Sequence, residues 1–155
     1  MPTDVEFLLR ISTAFFMAAL IGLERQWHHH DAGMRTTGLV STGAALFILI
    51  SYQFTDSGGP GRTAAAIIQG IGFLGGGVIL RQGLDIHGLT TAATIWCCAA
   101  IGVLCGAGYI HWAFYTVLLI FFANTILLKF SVYVDHKAED NNKSDSASGS
   151  TNANP

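Results

Sequence analysis

The residues able to handle an ion are few and lie far apart along the chain. Glu24 stands beside Arg25 in "GLERQW", Asp56 opens "DSGGPGR", and Gln69 is enclosed by apolar residues in "AAIIQGIG". Carboxylate and amide oxygens are what a hard divalent cation takes, and Mg²⁺ keeps several of its own waters. The carboxylates are absent from the centres of the apolar segments, with Glu24 and Asp85 at the inner edge and Asp56 at the outer one, so no dry all-carboxylate cage forms within one chain. A hydrated ion touching Glu24 or Asp56, with threonine and Gln69 oxygens between, suits these residue types. The competing reading of Glu24–Arg25 is an interfacial ion pair that sets helix depth.

Three adjacent histidines, His28, His29 and His30, suggest a metal site but have poor geometry for one. Neighbouring side chains on a helix point about 100° apart, whereas metal-binding helices use i, i+4 spacing. Partly protonated near pH ~6.5, they would instead add positive charge to a loop. The cysteines, Cys97, Cys98 and Cys105, all fall in one apolar stretch. Cys98 and Cys105 would share a helix face about 10 Å apart, too far for a disulfide. With no CxxC or Cys/His spacing, they read as small packing residues.

"GIGFLG", Gly70 to Gly75, fits the dinucleotide fingerprint G-x-G-x-x-G but lacks its context. The glycines lie inside an apolar run, and the region about 20 residues on is "TAATIWCC", with no acidic residue. Nucleotide binding is rejected. Gly72–Gly76 and Gly102–Gly106 are GxxxG steps. These permit close backbone approach between membrane helices, or an unwound segment lining a polar path.

These residues must be positioned by membrane spans. The chain is 51% hydrophobic and only 12% charged, about half the charge of a soluble domain, and its charges cluster between long uncharged runs. Five apolar segments result: Val5 to Leu23, Thr37 to Phe54, Ala64 to Leu80, Leu89 to Ala107 and Trp112 to Leu128. Each has about the length needed to cross a hydrocarbon core of ~30 Å as a helix. Tyr52, Tyr109, Trp112 and Tyr133 fall near segment ends, as does Trp27, where amphipathic rings belong. The first segment lacks the basic start and cleavage motif of a signal peptide, so it is expected to be retained.

Arg25, Arg35 and Arg81, with Lys129, Lys137 and Lys143, fall on one side of a five-span arrangement, and Arg62 on the other. Arg10 is expected to snorkel outward. The bias predicts an all-α five-helix membrane bundle with its N-terminus out and C-terminus in. The short connection Gly106–His111 is its weakest point. Residues 1–134 form the predicted membrane domain. The polar run 135–155 has too little apolar content to bury and is expected to be disordered. A net charge of −2 gives no basic footprint for nucleic acid.

"GLERQW", "AGMRTTGLVSTGAALFILIS", "GIGFLGGGVILRQG" and "GLTTAATIWCCAAIGVLCGAG" occur in order between Ala18 and Gly108. This set resembles the MgtC/SapB family of bacterial inner-membrane proteins. The resemblance implies a polytopic inner-membrane protein tied to magnesium homeostasis, with some members linked to growth at low Mg²⁺ and survival in macrophages. Its motif positions fall on Glu24, Arg25, Gly33, Arg35, Thr36, Asp56 and Arg62. They continue through Gly72, Phe73, Gly75, Gly77, Arg81 and Gly83 to Thr91, Ala92, Ala93, Thr94 and Trp96. The histidine run replaces a segment that is commonly Arg- or Gln-rich, which argues against a metal role for it. Many members carry a folded cytosolic domain after the spans. This sequence has the polar tail there, so functions of that domain are not carried over.

The resulting expectation is a cation-linked protein of Mg²⁺ homeostasis acting as a Mg²⁺ transporter, with a non-transporting regulatory subunit that docks on another membrane protein as the alternative. Mg²⁺ would be substrate or ligand at Glu24 and Asp56, and no resident cofactor is expected. The arginines would hold helix ends. The expected partners are the lipid bilayer, a second copy through the glycine faces that include Gly76, and another inner-membrane protein. An enzyme is not expected, because no nucleophile–base pair or metal triad is present.

Overall fold

A computed structural model describes residues 3–27, 32–54, 58–82 and 85–127. It is all-helical apart from one small hairpin. In order come α1 (Asp4–Trp27), α2 (Met34–Ser51), α3 (Gly59–Val78), β1 (Leu80–Gln82), β2 (Asp85–His87), α4 (Leu89–Gly106) and α5 (Ile110–Phe122). All five expected helices are present, within a few residues of their hydropathy limits. By length and composition α1, α2 and α4 can cross a membrane, and a shorter apolar helix covers Ile110–Ile126. The chain divides into two units, Met1–Ile120 and Phe121–Pro155. Of the second, the described part holds the last residues of α5 and a π-helical turn, Ala123–Leu127. The boundary expected at Val134 lies outside the described residues.

Two local departures have physical causes. α3 begins at Gly59 rather than Ala64, because Pro60 sits in its first turn, where its fixed φ is helical and its missing N–H is not needed. The loop after α3 is an antiparallel hairpin pairing Leu80 with His87 and Gln82 with Asp85, where the sequence reading had helices and loops alone.

Helices α1, α2 and α4 form the dense part of the first unit. Ala14, Ala18 and Ile21 of α1 meet Ala45 of α2 and Cys98, Ile101 and Cys105 of α4, and Ala113 and Val117 of α5 join them. The cysteines thus act as core residues, Cys98 and Cys105 being wholly buried. Backbones approach closely where glycine allows it. A Cβ on Gly102 would strike the Ser41 carbonyl oxygen, and one on Gly106 would lie 2.7 Å from that of Ala45. The α4 glycine step is therefore packed against α2. Because Gly102 faces Ser41 and Gly106 faces Ala45, α2 and α4 run parallel. Helix α3 runs antiparallel to α4: Gly75 lies against Ala92, while Ile67 and Val103 line a shared cavity further along.

The connection Gly106–His111 does separate two helices. The Tyr109 N–H donates to the Leu104 carbonyl (2.8 Å) and the Gly108 N–H to that of Cys105 (3.0 Å). This is the Schellman termination, which needs a left-handed residue just past the helix. Gly108 supplies it with φ +90°. Tyr109 then starts α5 by accepting from the N–H groups of Trp112 and Ala113.

Candidate functional site

On α1, Ala14, Ala18, Ile21 and Arg25 recur at helical spacing and are all buried. The inward stripe therefore carries an arginine at its end. Arg25 is 1% exposed, although charged side chains are rarely so buried. Its Nη2 donates to Thr91 Oγ1 at 2.7 Å and its Nη1 to Thr94 Oγ1 at 3.1 Å. Thr91 and Thr94 are one turn apart on α4, so the planar fork of the guanidinium reaches each with a separate nitrogen, where a lysine would have to serve both from one. The Thr94 hydroxyl in turn donates to the Thr90 carbonyl at 2.8 Å. Its hydrogen is engaged there, and its lone pairs face the arginine. Arg25 also lies in the last turn of α1, where the helix dipole favours a cation.

A second arginine ties the opposite ends of the same two helices. Arg10 Nη1 donates to the Gly106 carbonyl at the end of α4 (3.0 Å) and Nη2 to Glu6 (2.7 Å). Its guanidinium also covers Gly108. Arg10 thereby caps α4, satisfying a carbonyl that the helix end leaves open. Together the two arginines fix α1 against α4 at both ends. The i, i+4 pairing of Glu6 with Arg10 was readable in the sequence. The carbonyl it serves, distant in sequence, was not.

The other motif residues scatter. Glu24 is half-buried beside Arg25, one position off the inward stripe. Gln69 is exposed halfway along α3, facing away from Ile71 and Gly75, the buried side of that helix. Glu24 and Gln69 therefore do not converge. Asp56, His28–His30 and Gly83 lie outside the described residues. Arg35 and Thr36 are exposed in the first turn of α2, and Arg62 is exposed near the start of α3. Gly33 precedes α2 and accepts from the Thr37 N–H, and Arg81 is placed by its backbone in β1. Gly75 packs on Ala92, whereas a Cβ at Gly72, Gly76 or Gly77 would meet nothing within 4 Å among the described residues. Phe73 shares that outward side and is 87% exposed, and Trp96 is half-exposed on α4. Ala93 is exposed as well.

Sequence reasoning passed over Gly22, Thr37 and Gly38. A Cβ on Gly22 would collide with the Thr37 hydroxyl and the Met34 backbone, and Gly38 lies under the Phe15 ring. The signal was present as the small-residue series Ala14, Ala18, Gly22, spaced by four.

Apolar helices packed through glycine contacts, three of them built to cross a bilayer, define a helical membrane protein. The MgtC family model matches residues 11–132, and the chain belongs to that family. Protein MgtC of Salmonella typhimurium is 52% identical over 121 residues, which are 78% of this chain and 52% of the relative. Protein MgtC of Brucella abortus is 48% identical over 117 residues, 76% of this chain and 49% of the relative. An uncharacterized protein of Synechocystis, slr0014, is 46% identical over 132 residues, 85% of this chain and 56% of the relative. The chain spans about half the length of these curated relatives. No solved structure matches it.

Proposed function

We propose that the chain is a multi-pass inner-membrane protein of magnesium homeostasis that acts by docking onto other membrane machinery, and that its core does not conduct Mg²⁺. The observation that carries this reading is the buried guanidinium of Arg25 held by Thr91 and Thr94. A guanidinium has donors only, and it engages the hydroxyl oxygens that α4 offers at this level. A Mg²⁺ ion needs oxygen acceptors in that place. A charge buried within a membrane bundle is costly and is retained for function; here it locks α1 to α4. The link to magnesium, with low-Mg²⁺ growth and virulence as associated traits, rests on the family. Glu24 and Asp56 remain the residues proposed to meet the ion. The test is Mg²⁺ entry into liposomes holding the purified chain. Entry no faster than into protein-free liposomes is expected. Entry that Glu24→Gln abolishes would establish transport instead.

Five crossings with the N-terminus out and the C-terminus in fit the packing directions. If the parallel helices α2 and α4 both cross, the chain must return between them. At 20 residues, α3 is ~30 Å long, the thickness of a hydrocarbon core. The placement of Arg25, Arg35 and Arg81 on one side supports the orientation. A reporter inserted between Ser57 and Gly58 is expected to read external, and one fused after Val134 cytoplasmic. A fusion after Val134 that reads external would remove one crossing from this scheme.

A further inference from the structure

Helix α3 is held firmly at one end only. Near its C-terminal end, a Cβ on Gly75 would lie 3.6 Å from that of Ala92, an ordinary contact. Gly88, which precedes α4, comes so near the Val78 carbonyl that a Cβ there would strike it. Toward the other end, none of residues 59–70 is buried. This half of α3 has a cavity on each flank. One of about 580 Å³ lies on the α2 side, with Gly43 on one wall and Gly70 on the other. One of about 240 Å³ lies on the α4 side, where Ile68 and Ala100 line it. Ile67 and Ile71 line both, so they form the ridge on which α3 rests. A helix that touches its bed along one ridge has room to roll to either side, and few buried apolar contacts mark an element of low local stability. Composition points the same way. Residues 70–77 hold five glycines, which weaken a helix and are where helices bend. The chain enters α3 through Gly58 and Gly59 at φ +92° and +57°, element-end positions of the kind that absorb a hinge movement.

We infer that the first half of α3 rocks between two positions, one closed on α2 and one closed on α4, pivoting where Gly75 meets Ala92. In the first position Gly43 and Gly70 come together, as Gly102 and Ser41 already do between α4 and α2. In the second, Ile68 reaches Ala100. The positions are discrete because packed helix faces have alternative arrangements and do not deform continuously. A partner touching α2 and α3 together would select the first position. That consequence rests on the docking reading above; the movement itself does not.

Cysteine pairs in the full chain, oxidised in membrane vesicles and scored within one chain by mass spectrometry, test the movement. The background is Cys97→Ala, with Cys98 and Cys105 wholly buried. A disulfide needs Cβ atoms about 3.8 Å apart, so the pivot pair Gly75→Cys with Ala92→Cys should link at once. Gly43→Cys with Gly70→Cys reports the α2 side, and Ile68→Cys with Ala100→Cys the α4 side. Each flank pair is expected to link, more slowly than the pivot, whereas a helix fixed in one position links on one flank at most. Gly43→Leu fills the α2 side and should speed linking of the Ile68 and Ala100 pair, about twofold if the two positions are equally populated. If that variant fails to fold, Gly70→Leu fills the same groove from the other wall. Flank pairs that stay reduced, linking on a single flank, or a rate unchanged by the filling would overturn the proposal. So would a pivot pair that does not link, since α3 would then lack the contact on which it turns. The readout involves neither Mg²⁺ nor a partner, so this inference and the docking reading can each fail alone.

Discussion

Replacing Arg25 with methionine is expected to abolish support of growth at low Mg²⁺ while the protein still inserts and stays folded. The methionine stem fills much of the same volume, and removing a buried charge in favour of an apolar side chain is often neutral or stabilising. What disappears is the pair of donors bridging Thr91 and Thr94. The complementary change should behave in the opposite way. Thr91→Val with Thr94→Val leaves the guanidinium in place and removes two acceptors, each worth about 1.5–3 kcal/mol to a charged donor. That double variant should be less stable than Arg25→Met. Adding Arg25→Met to it should recover stability without restoring growth. Arg25→Lys, a point charge that must serve both hydroxyls from one nitrogen, should fall between. Denaturation in detergent beside growth on limiting Mg²⁺ reads both effects. Full growth with Arg25→Met would reduce the arginine to a packing residue.

How much of this was legible in the sequence differs from residue to residue. Arg25, Thr91 and Thr94 were singled out through the family motifs, and the spacing Ala14, Ala18, Ile21, Arg25 already put the arginine on the inward stripe. Reading Glu24–Arg25 as one interfacial unit obscured this, since consecutive helix residues point about 100° apart. The helices themselves were readable because apolar length is a strong signal. The hairpin Leu80–Gln82 with Asp85–His87 was not, because three-residue strands are too short to show an alternation. The contact of Arg10 with the Gly106 carbonyl was out of reach for another reason. Nothing local indicates which helix end will lie beside an arginine.

Both glycine steps were visible, yet their spacing alone could not tell them apart. In α4, Gly102 and Gly106 press on the α2 backbone, while Gly72 and Gly76 of α3 face open space. GxxxG spacing states that a close approach is allowed and leaves the partner unspecified. The tertiary fold assigns one step to the inside of the chain. The other remains available for a partner of the kind proposed above.

The two steps should therefore respond oppositely to the same substitution. Gly102→Leu or Gly106→Leu is expected to separate α2 from α4. The new side chain meets the Ser41 or Ala45 carbonyl oxygen, and a backbone oxygen cannot rotate away as a side chain can. Overpacking costs about 1–3 kcal/mol where neighbours can adjust, occasionally more, and this rigid contact belongs at the upper end. Insertion should be unaffected, because leucine is favourable in a membrane span. The loss should appear as a lowered melting temperature and early aggregation in detergent. Gly102→Ala should already show part of it, since the Cβ alone makes the collision. Gly72→Leu and Gly76→Leu should leave the melting temperature unchanged, because no atom of the described residues lies within 4 Å of an added Cβ. Their effect on low-Mg²⁺ growth then tests docking separately from folding. Lost growth in a stable Gly76→Leu protein marks a surface occupied by a partner, and normal growth marks one that faces lipid. Equal destabilisation at all four glycines would show that α3 packs within the chain through Gly72 and Gly76, against the arrangement described for the first unit.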